Sequence, residues 1–483
     1  MTASTAAVVE RKPPTEKDDH LRTLLDRIRQ ITGKPEAPPS GADGNVAAAA
    51  SLPAGPALPG GFVPIEPDSF AAAGLSANAV EALVLKFLLA TGDAIGREIA
   101  DQIRLPFLLI DELLRGMKQD QLLAHKGAAP MNDFQYYLTE NGRERARQQW
   151  ARCTYFGSAP VSLKDYVASV EAQSLSRQQP TPERLRAAFA DLSLSERMLD
   201  RLGPAVNSGR GMFLYGAAGN GKTSIAERVT RAFGAEIWIP RAIGIDGEII
   251  RVYDPVSHEE LPLEACSTLY DRRKVDKRWV RICRPTIIAG GELTMSSLEV
   301  TTNTATGISE APLQVKSNCG TLVIDDFGRQ RMKISELLNR WILPLERHRD
   351  FLYLSTGKKI EVPFEQLVIF STNLEPRDLV DEAFLRRIPY KIEIVDPTED
   401  QFRDLFEIMA KTYGFACDAP AVEHLIEVHY RRAKRPMRYC HPRDLLSQVR
   451  NFCVYKGLPL EVRPEYLDVA VENYFAVMHP RGV

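Results

Sequence analysis

The chain has little with which to staple a fold covalently. Among its 483 residues, the seven cysteines (Cys153, Cys266, Cys283, Cys319, Cys417, Cys440 and Cys453) are scattered and odd in number. They include no C-x-x-C pair, which argues against a disulfide framework or a cysteine zinc site. A dominant charge is missing too: 61 Lys plus Arg stand against 63 Asp plus Glu. No global field draws the protein onto nucleic acid or an anionic membrane, so any such contact must be local. No apolar run reaches the roughly 18 residues that cross a bilayer, and the start lacks the basic-then-apolar order of a signal peptide. Internal repeats are absent. The expectation is a cytoplasmic protein with no membrane span. Because single cores rarely grow beyond about 250 residues, more than one domain is expected.

What is present changes along the chain. Residues 1–66 are rich in Ala, Pro, Gly and charge, cannot bury enough surface to offset the entropy of ordering, and read as a disordered tail. Within it Leu21, Leu24, Leu25 and Ile28 have the spacing of a short amphipathic helix. From 68 to 157 the pattern predicts helices over 80–89, 94–103 and 106–117, the last opened by Pro106, where a helix tolerates proline. A turn-rich stretch and a basic helix from Arg143 follow. This order, with the step Leu138-Thr-Glu-Asn-Gly142, resembles a winged helix-turn-helix domain. Residues 158–208 read as a helical linker, residues 209–395 as an α/β layer with a mainly parallel sheet, and residues 396–483 as helical throughout.

The segment Gly216-Ala-Ala-Gly219-Asn220-Gly221-Lys222-Thr223 joins an apolar β-like run, 212–215, to a helical one that begins near Ser224. Triphosphate oxygens need donors, and glycines let successive backbone N–H groups, those around Asn220 and Ser224 included, converge on them without a Cβ in the way. Lys222 is expected on the β and γ phosphates, Thr223 on Mg²⁺, and the helix start beneath the anion. A metal-dependent NTPase also needs a carboxylate on a neighbouring strand. The run Thr321-Leu-Val-Ile324 ends in Asp325, expected in the Mg²⁺ shell, and Asp326, expected to orient or deprotonate the attacking water.

At this point the residues resemble the AAA+ ATPases, from about Leu185 to the C-terminus, and in particular bacterial AAA+ proteins carrying this kind of N-terminal module. The resemblance implies a P-loop AAA+ core with a parallel sheet over 209–395 and an α-helical lid over 396–483. It implies a sensor role for Asn373, at the end of Leu367-Val-Ile-Phe-Ser-Thr, although an asparagine there also serves as a strand cap. It implies an arginine finger at Arg386 or Arg387, with either residue open and the other paired to an acid. Arg443, in His441-Pro-Arg-Asp-Leu445, is similar to sensor 2; pairing with Asp444 is the alternative. A homo-oligomeric ring, hexameric in this family, follows from the same resemblance. Asp326 departs from the usual Glu by one methylene, which leaves room for slow hydrolysis or a nucleotide-switched scaffold. The distance from Thr223 to Asp325 exceeds that of a minimal core, so an insertion is expected over about 238–310, in which 291–297 is either a pore-facing loop or ordinary packing. The stretch Phe351–Val362 reads as a hairpin with a Thr-Gly-Lys turn; Lys358 and Lys359 at its tip either touch a threaded partner or are solvated.

A winged helix raises DNA as a target. Across 70–155, however, ten Lys or Arg meet ten Asp or Glu, and the third helix offers Asp111 and Glu112 against Arg115. Specific DNA binding needs phosphate neutralisation and polar contacts to base edges. An unknown protein client therefore ranks above DNA. The reading as a whole is an ATP- and Mg²⁺-dependent ATPase that remodels a protein partner, with a DNA-associated ATPase as the alternative.

Overall fold

The computed structural model describes residues 62–192, 194–262, 275–380 and 382–476. Most of the tail expected over 1–66, with its short helix, lies outside them. Five parallel strands form the central sheet, in the order Thr286–Ala289, Thr321–Ile324, Leu367–Thr372, Met212–Tyr215, Tyr390–Glu393. Numbered along the chain, this is 2-3-4-1-5. The inner strands are nearly continuous apolar runs because both faces are covered. Alternation then sorts their side chains. Met212, Leu214, Val323 and Ile369 meet Ile225, Ala226 and Val229 of the helix Lys222–Val229 on one face. Phe213, Leu322, Ile324 and Phe370 meet Leu337 and Trp341 of the helix Ile334–Arg347 on the other. The expected α/β class is thus the observed one.

After the sheet the chain is mainly helical, with a core of its own, and departs from the expected all-helical pattern where the two-residue strands Ala416–Cys417 and Glu461–Val462 pair in parallel. Glu399–Thr412 is opened by a Thr398 and Gln401 capping box, and Ala419–His424 runs on as a π-helix, Leu425–Arg431. His441–Lys456 and Pro464–Phe475 complete the group, each with a proline in its first turn.

Before the sheet, Ala77–Thr91, Gly96–Ile103 and Phe107–Gln119 are helices, Leu123–Ala129 and Asp133–Leu138 form an antiparallel hairpin, and Glu140–Arg152 is a final helix. A short strand, Asp93–Ile95, pairs with the hairpin to give three strands. One apolar core holds this unit together and extends to Ala242. In the third helix Arg115 is spent on Asp111, at 2.6 Å, while Leu108 is 77% exposed.

The stretch 158–208 does more than link. Val161–Ser162 is a strand paired with Ile243 and Gly244, and the helix Leu163–Gln173 is fixed to the next layer by Gln173, whose amide exchanges two hydrogen bonds with the Trp238 backbone, at 2.9 and 2.7 Å. A two-residue strand has no periodicity to read. The stretch 238–310 likewise mixes two things. It supplies most of a second sheet, in the order Thr301–Asn303, Ile308–Glu310, Glu248–Arg251, Ala242–Ile245, Val161–Ser162. Yet Thr286–Ala289 within it is an outer strand of the central sheet, so not all of this stretch is extra. Segment 291–297 is packed, with Leu293 at 1% exposure in the central core. The hairpin Arg349–Tyr353 and Lys359–Pro363 forms as expected. Its tip docks on the second sheet: Lys358 pairs with Asp246, and Ser355 donates through N and Oγ to Glu248. Lys359 lies over the Phe351 ring at 4.1 Å.

Arg278 and Asp276, 4% and 3% exposed, pair at 2.8 Å, and the same guanidinium donates to Ala73 O at 2.8 Å and Pro160 O at 3.3 Å. It therefore clasps both ends of the N-terminal unit to the start of the strand Trp279–Cys283. Removing one partner of a buried pair strands the other charge. Arg278→Met is expected to lower stability by about 3–5 kcal/mol and to loosen the N-terminal unit first, measured by urea denaturation with limited proteolysis at 153–160.

Candidate nucleotide site

The phosphate loop leaves the carboxyl end of Met212–Tyr215, where strand order reverses and open α/β sheets place their ligands. Two of its glycines are required by geometry. Gly216 has φ 136°, and a Cβ there would sit 2.4 Å from Ile394 O; Gly221 has φ 76° and turns directly into the helix Lys222–Val229. The N–H groups of Gly219, Asn220, Gly221, Lys222 and Thr223 find no acceptor among the described residues, as the first donors of a helix do not. This row of unmet donors fits a polyphosphate.

Lys222 is 7% exposed. Its Nζ donates to Gly216 O and Ala217 O, both at 3.0 Å, and to Asn373 Oδ1 at 2.6 Å. Burial lowers its pKa, with Arg438 acting in the same sense, while the carboxylates of Asp325 and Asp326 act against it. Asn373 Nδ2 in turn donates to Asp326 Oδ1 at 3.2 Å. Lys222, Asn373 and Asp326 thus form one hydrogen-bonded line from the loop to the second acid. Thr223 Oγ1 donates to Asp325 Oδ2 at 2.8 Å, so hydroxyl and carboxylate are already side by side where a hard cation with oxygen ligands would sit. Asp326 has φ 47°, a left-handed conformation that Asp tolerates better than most residues. Gln330 holds that turn, its Nε2 donating to Asp325 O at 2.9 Å and Asp326 O at 3.2 Å.

The cleft has a volume of about 750 Å³ and is shared between the loop, Ser224, the two acids, Asn373 and the C-terminal helical region. That region reaches the loop through Cys440 N, which donates to Gly219 O at 2.9 Å. Asn220 Nδ2 donates to Asp396 Oδ1 at 2.7 Å, and Arg438 pairs with the same carboxylate. Asp396 and Arg438 were not legible in the sequence, since neither stands in a motif. Arg443 lines the cleft, but its Nε pairs with Asp444 at 3.0 Å and its side chain is 61% exposed. Neither Arg386 nor Arg387 lines it. Arg386 is exposed beyond the short helix Glu382–Leu385, whereas Arg387 Nε donates to Glu346 at 2.6 Å.

No described helix is long and apolar enough to cross a membrane. A family model described as a domain of unknown function (DUF8689) matches residues 398–473. No curated protein matches the chain. Among solved structures, NtrX from Brucella abortus is similar at 12% identity over 62% of this chain and 60% of its own, with a TM-score of 0.39. NtrX in complex with ATP matches at 10% identity over 77% and 62%, with a TM-score of 0.36. The Thermotoga maritima RuvB Holliday junction branch migration motor matches at 14% identity over 60% and 73%, with a TM-score of 0.34. The chain thus spans about 60% of the length of NtrX.

Next to the cleft-lining Cys440, a buried histidine carries a titration. His441, 6% exposed and 2.9 Å from Tyr430 Oη through Nδ1, is pushed down to about 4 by burial first, then by Arg438 and Arg435, against the opposing pull of Asp444 and Asp396. Between about pH 6.5 and 4 the unfolded chain therefore holds the extra proton, so stability is full above 6.5 and falls as pH drops through that window. The loss is on the order of 2–3 kcal/mol. Amide exchange of the 399–475 helices, corrected for intrinsic rates, should show protection falling from pH 6.5 to 4.5 and a flatter profile in His441→Gln.

Proposed function

We propose that the chain is a AAA+ ATPase that binds ATP with Mg²⁺ and hydrolyses it within a homo-oligomer to remodel a protein partner. The observation that carries this reading is the meeting of Lys222, Asn373 and Asp326 in one line, beside the Thr223 and Asp325 pair, at the edge of a 2-3-4-1-5 parallel sheet.

The roles follow from the donors available. The free N–H groups of the loop hold the β and γ phosphates, and Lys222 exchanges its two loop carbonyls for phosphate oxygens. Thr223 and Asp325 would hold the Mg²⁺, which neutralises charge that develops on the phosphates. Asp326, steered by Asn373, orients water opposite the leaving group and accepts its proton. An arginine from a neighbouring subunit would complete the charge balance. Of the two candidates Arg386 is favoured, because Arg387 is occupied by Glu346. For the target, the exposed Leu108 and the paired Arg115 of the third helix favour a protein over DNA for the winged helix-like unit.

Phosphate release by the full chain with ATP and Mg²⁺ tests this. Lys222→Ala should abolish both binding and release. Asp326→Asn should retain ATP and slow release by about 10²–10⁴-fold, the usual worth of a general base. Arg386→Ala should slow release by about 10³-fold or more at unchanged ATP affinity, and Arg387→Ala should not. If the wild-type chain binds ATP and releases no phosphate, the nucleotide-switched scaffold is the correct reading.

A further inference from the structure

Among the described residues, one group outside the cleft brings together three side chains able to ligate a metal: His424, His429 and Asp468. It owes its geometry to a change of helix type. In an α-helix, residues five apart point roughly 140° away from each other. Here the helix passes from α to π at Leu425, and the wider i to i+5 turn brings His424 and His429 back to one side. Both Nε2 atoms then face the last helix, Pro464–Phe475, at 2.9 and 2.5 Å from Asp468 Oδ1.

Both rings address the same carboxylate oxygen. Oδ1 thus stands beside both imidazole nitrogens, and the three potential ligand atoms share one small volume. We propose that His424, His429 and Asp468 form a binding site for a divalent late first-row transition metal, represented by Zn²⁺.

The dimensions fit. One ligand atom from each residue lies within 4.8 Å of the others, and Zn–N and Zn–O bonds of about 2.0–2.2 Å give edges of roughly 3.3 Å in a tetrahedron. The two close contacts open slightly, and each neutral ring, carrying its one proton on Nδ1, would offer the Nε2 lone pair to the ion. Two imidazoles select against Mg²⁺ and Ca²⁺, which favour oxygen. The side chains are 32%, 20% and 47% exposed, so an ion can enter, and three ligands leave a fourth position for water. An ion there ties the helix carrying Tyr430 to the last helix. Tyr430 touches His441, whose neighbour Cys440 holds Gly219 of the phosphate loop. Occupancy therefore stiffens the part of the helical region that closes on the cleft.

The test is calorimetric titration of the chelator-stripped full chain with Zn²⁺, without nucleotide, alongside the visible absorption of Co²⁺. One ion per chain is expected. His429→Gln keeps a donor for Asp468 but removes a ligand, and Asp468→Asn is a second, independent variant. Each should weaken Zn²⁺ by more than about 100-fold, beyond the effect of losing an outer-shell partner, while Asp325→Ala leaves it unchanged. Zn²⁺ binding that survives both variants, or no binding by the wild-type chain, overturns the proposal and leaves the triad a hydrogen-bonded clasp.

Discussion

Register between parallel strands is the constraint on which this site depends. Tyr215 pairs with Thr372, and Ile324 with Phe370, so the strands that deliver the phosphate loop, Asp325 and Asn373 end at nearly one level. A slip of one residue would turn each apolar side chain to the opposite face and move Asp325 and Asn373 away from Lys222. That slip is opposed by the two separate cores, which assign Phe213, Leu322 and Phe370 to one face and Leu214, Val323 and Ile369 to the other. The large apolar mass of the sheet is therefore also what positions three small polar contacts.

The surroundings of the cleft are held by fewer and more polar contacts. The helical region has its own core and meets the loop through Cys440 and Gly219, and through Asp396 shared between Asn220 and Arg438. Such bonds exchange partners at small net cost, roughly 1 kcal/mol each, whereas the cores do not rearrange. Motion on filling the cleft should therefore fall between the sheet and the C-terminal helical region. On the far side, Arg340 binds Glu299 and Asp350, and the hairpin from Asp350 onward rests on Asp246 and Glu248. The second sheet is thereby linked, through the hairpin, to the helix that covers the central sheet.

Much of this was legible in the sequence, for a physical reason. Glycines with forced φ, a lysine and a threonine at fixed spacing, and apolar runs of strand length are local features, and the central sheet is assembled from them. Hairpin 349–363 and the C-terminal helices were legible in the same way, through turn residues and 3.6-residue periodicity. Features that depend on partners far along the chain were not. Val161–Ser162 becomes a strand only because Ile243 and Gly244 lie beside it, and Thr286–Ala289 joins the central sheet although the neighbouring strand Trp279–Cys283 does not. Asn220 gave no sign that it would share Asp396 with Arg438, 42 residues further on from that acid.

The histidine cluster is hidden in the sequence for a related physical reason. Metal sites on helices are recognised by i, i+3 or i, i+4 spacing, because those intervals share a face at 3.6 residues per turn. His424 and His429 are five apart and fail that criterion until the π-turn changes the period. A π-segment forgoes the packing and hydrogen-bond geometry of an α-helix, and such segments collect at functional sites. Tyr430 lies within this one, buried against Phe402 and Phe475 and bonded to His441. The widened turn thus serves two placements at once, directing the two imidazoles outward to Asp468 and Tyr430 inward to the helical core and His441. An α-helical register could satisfy one of these placements and would turn the other side chain away.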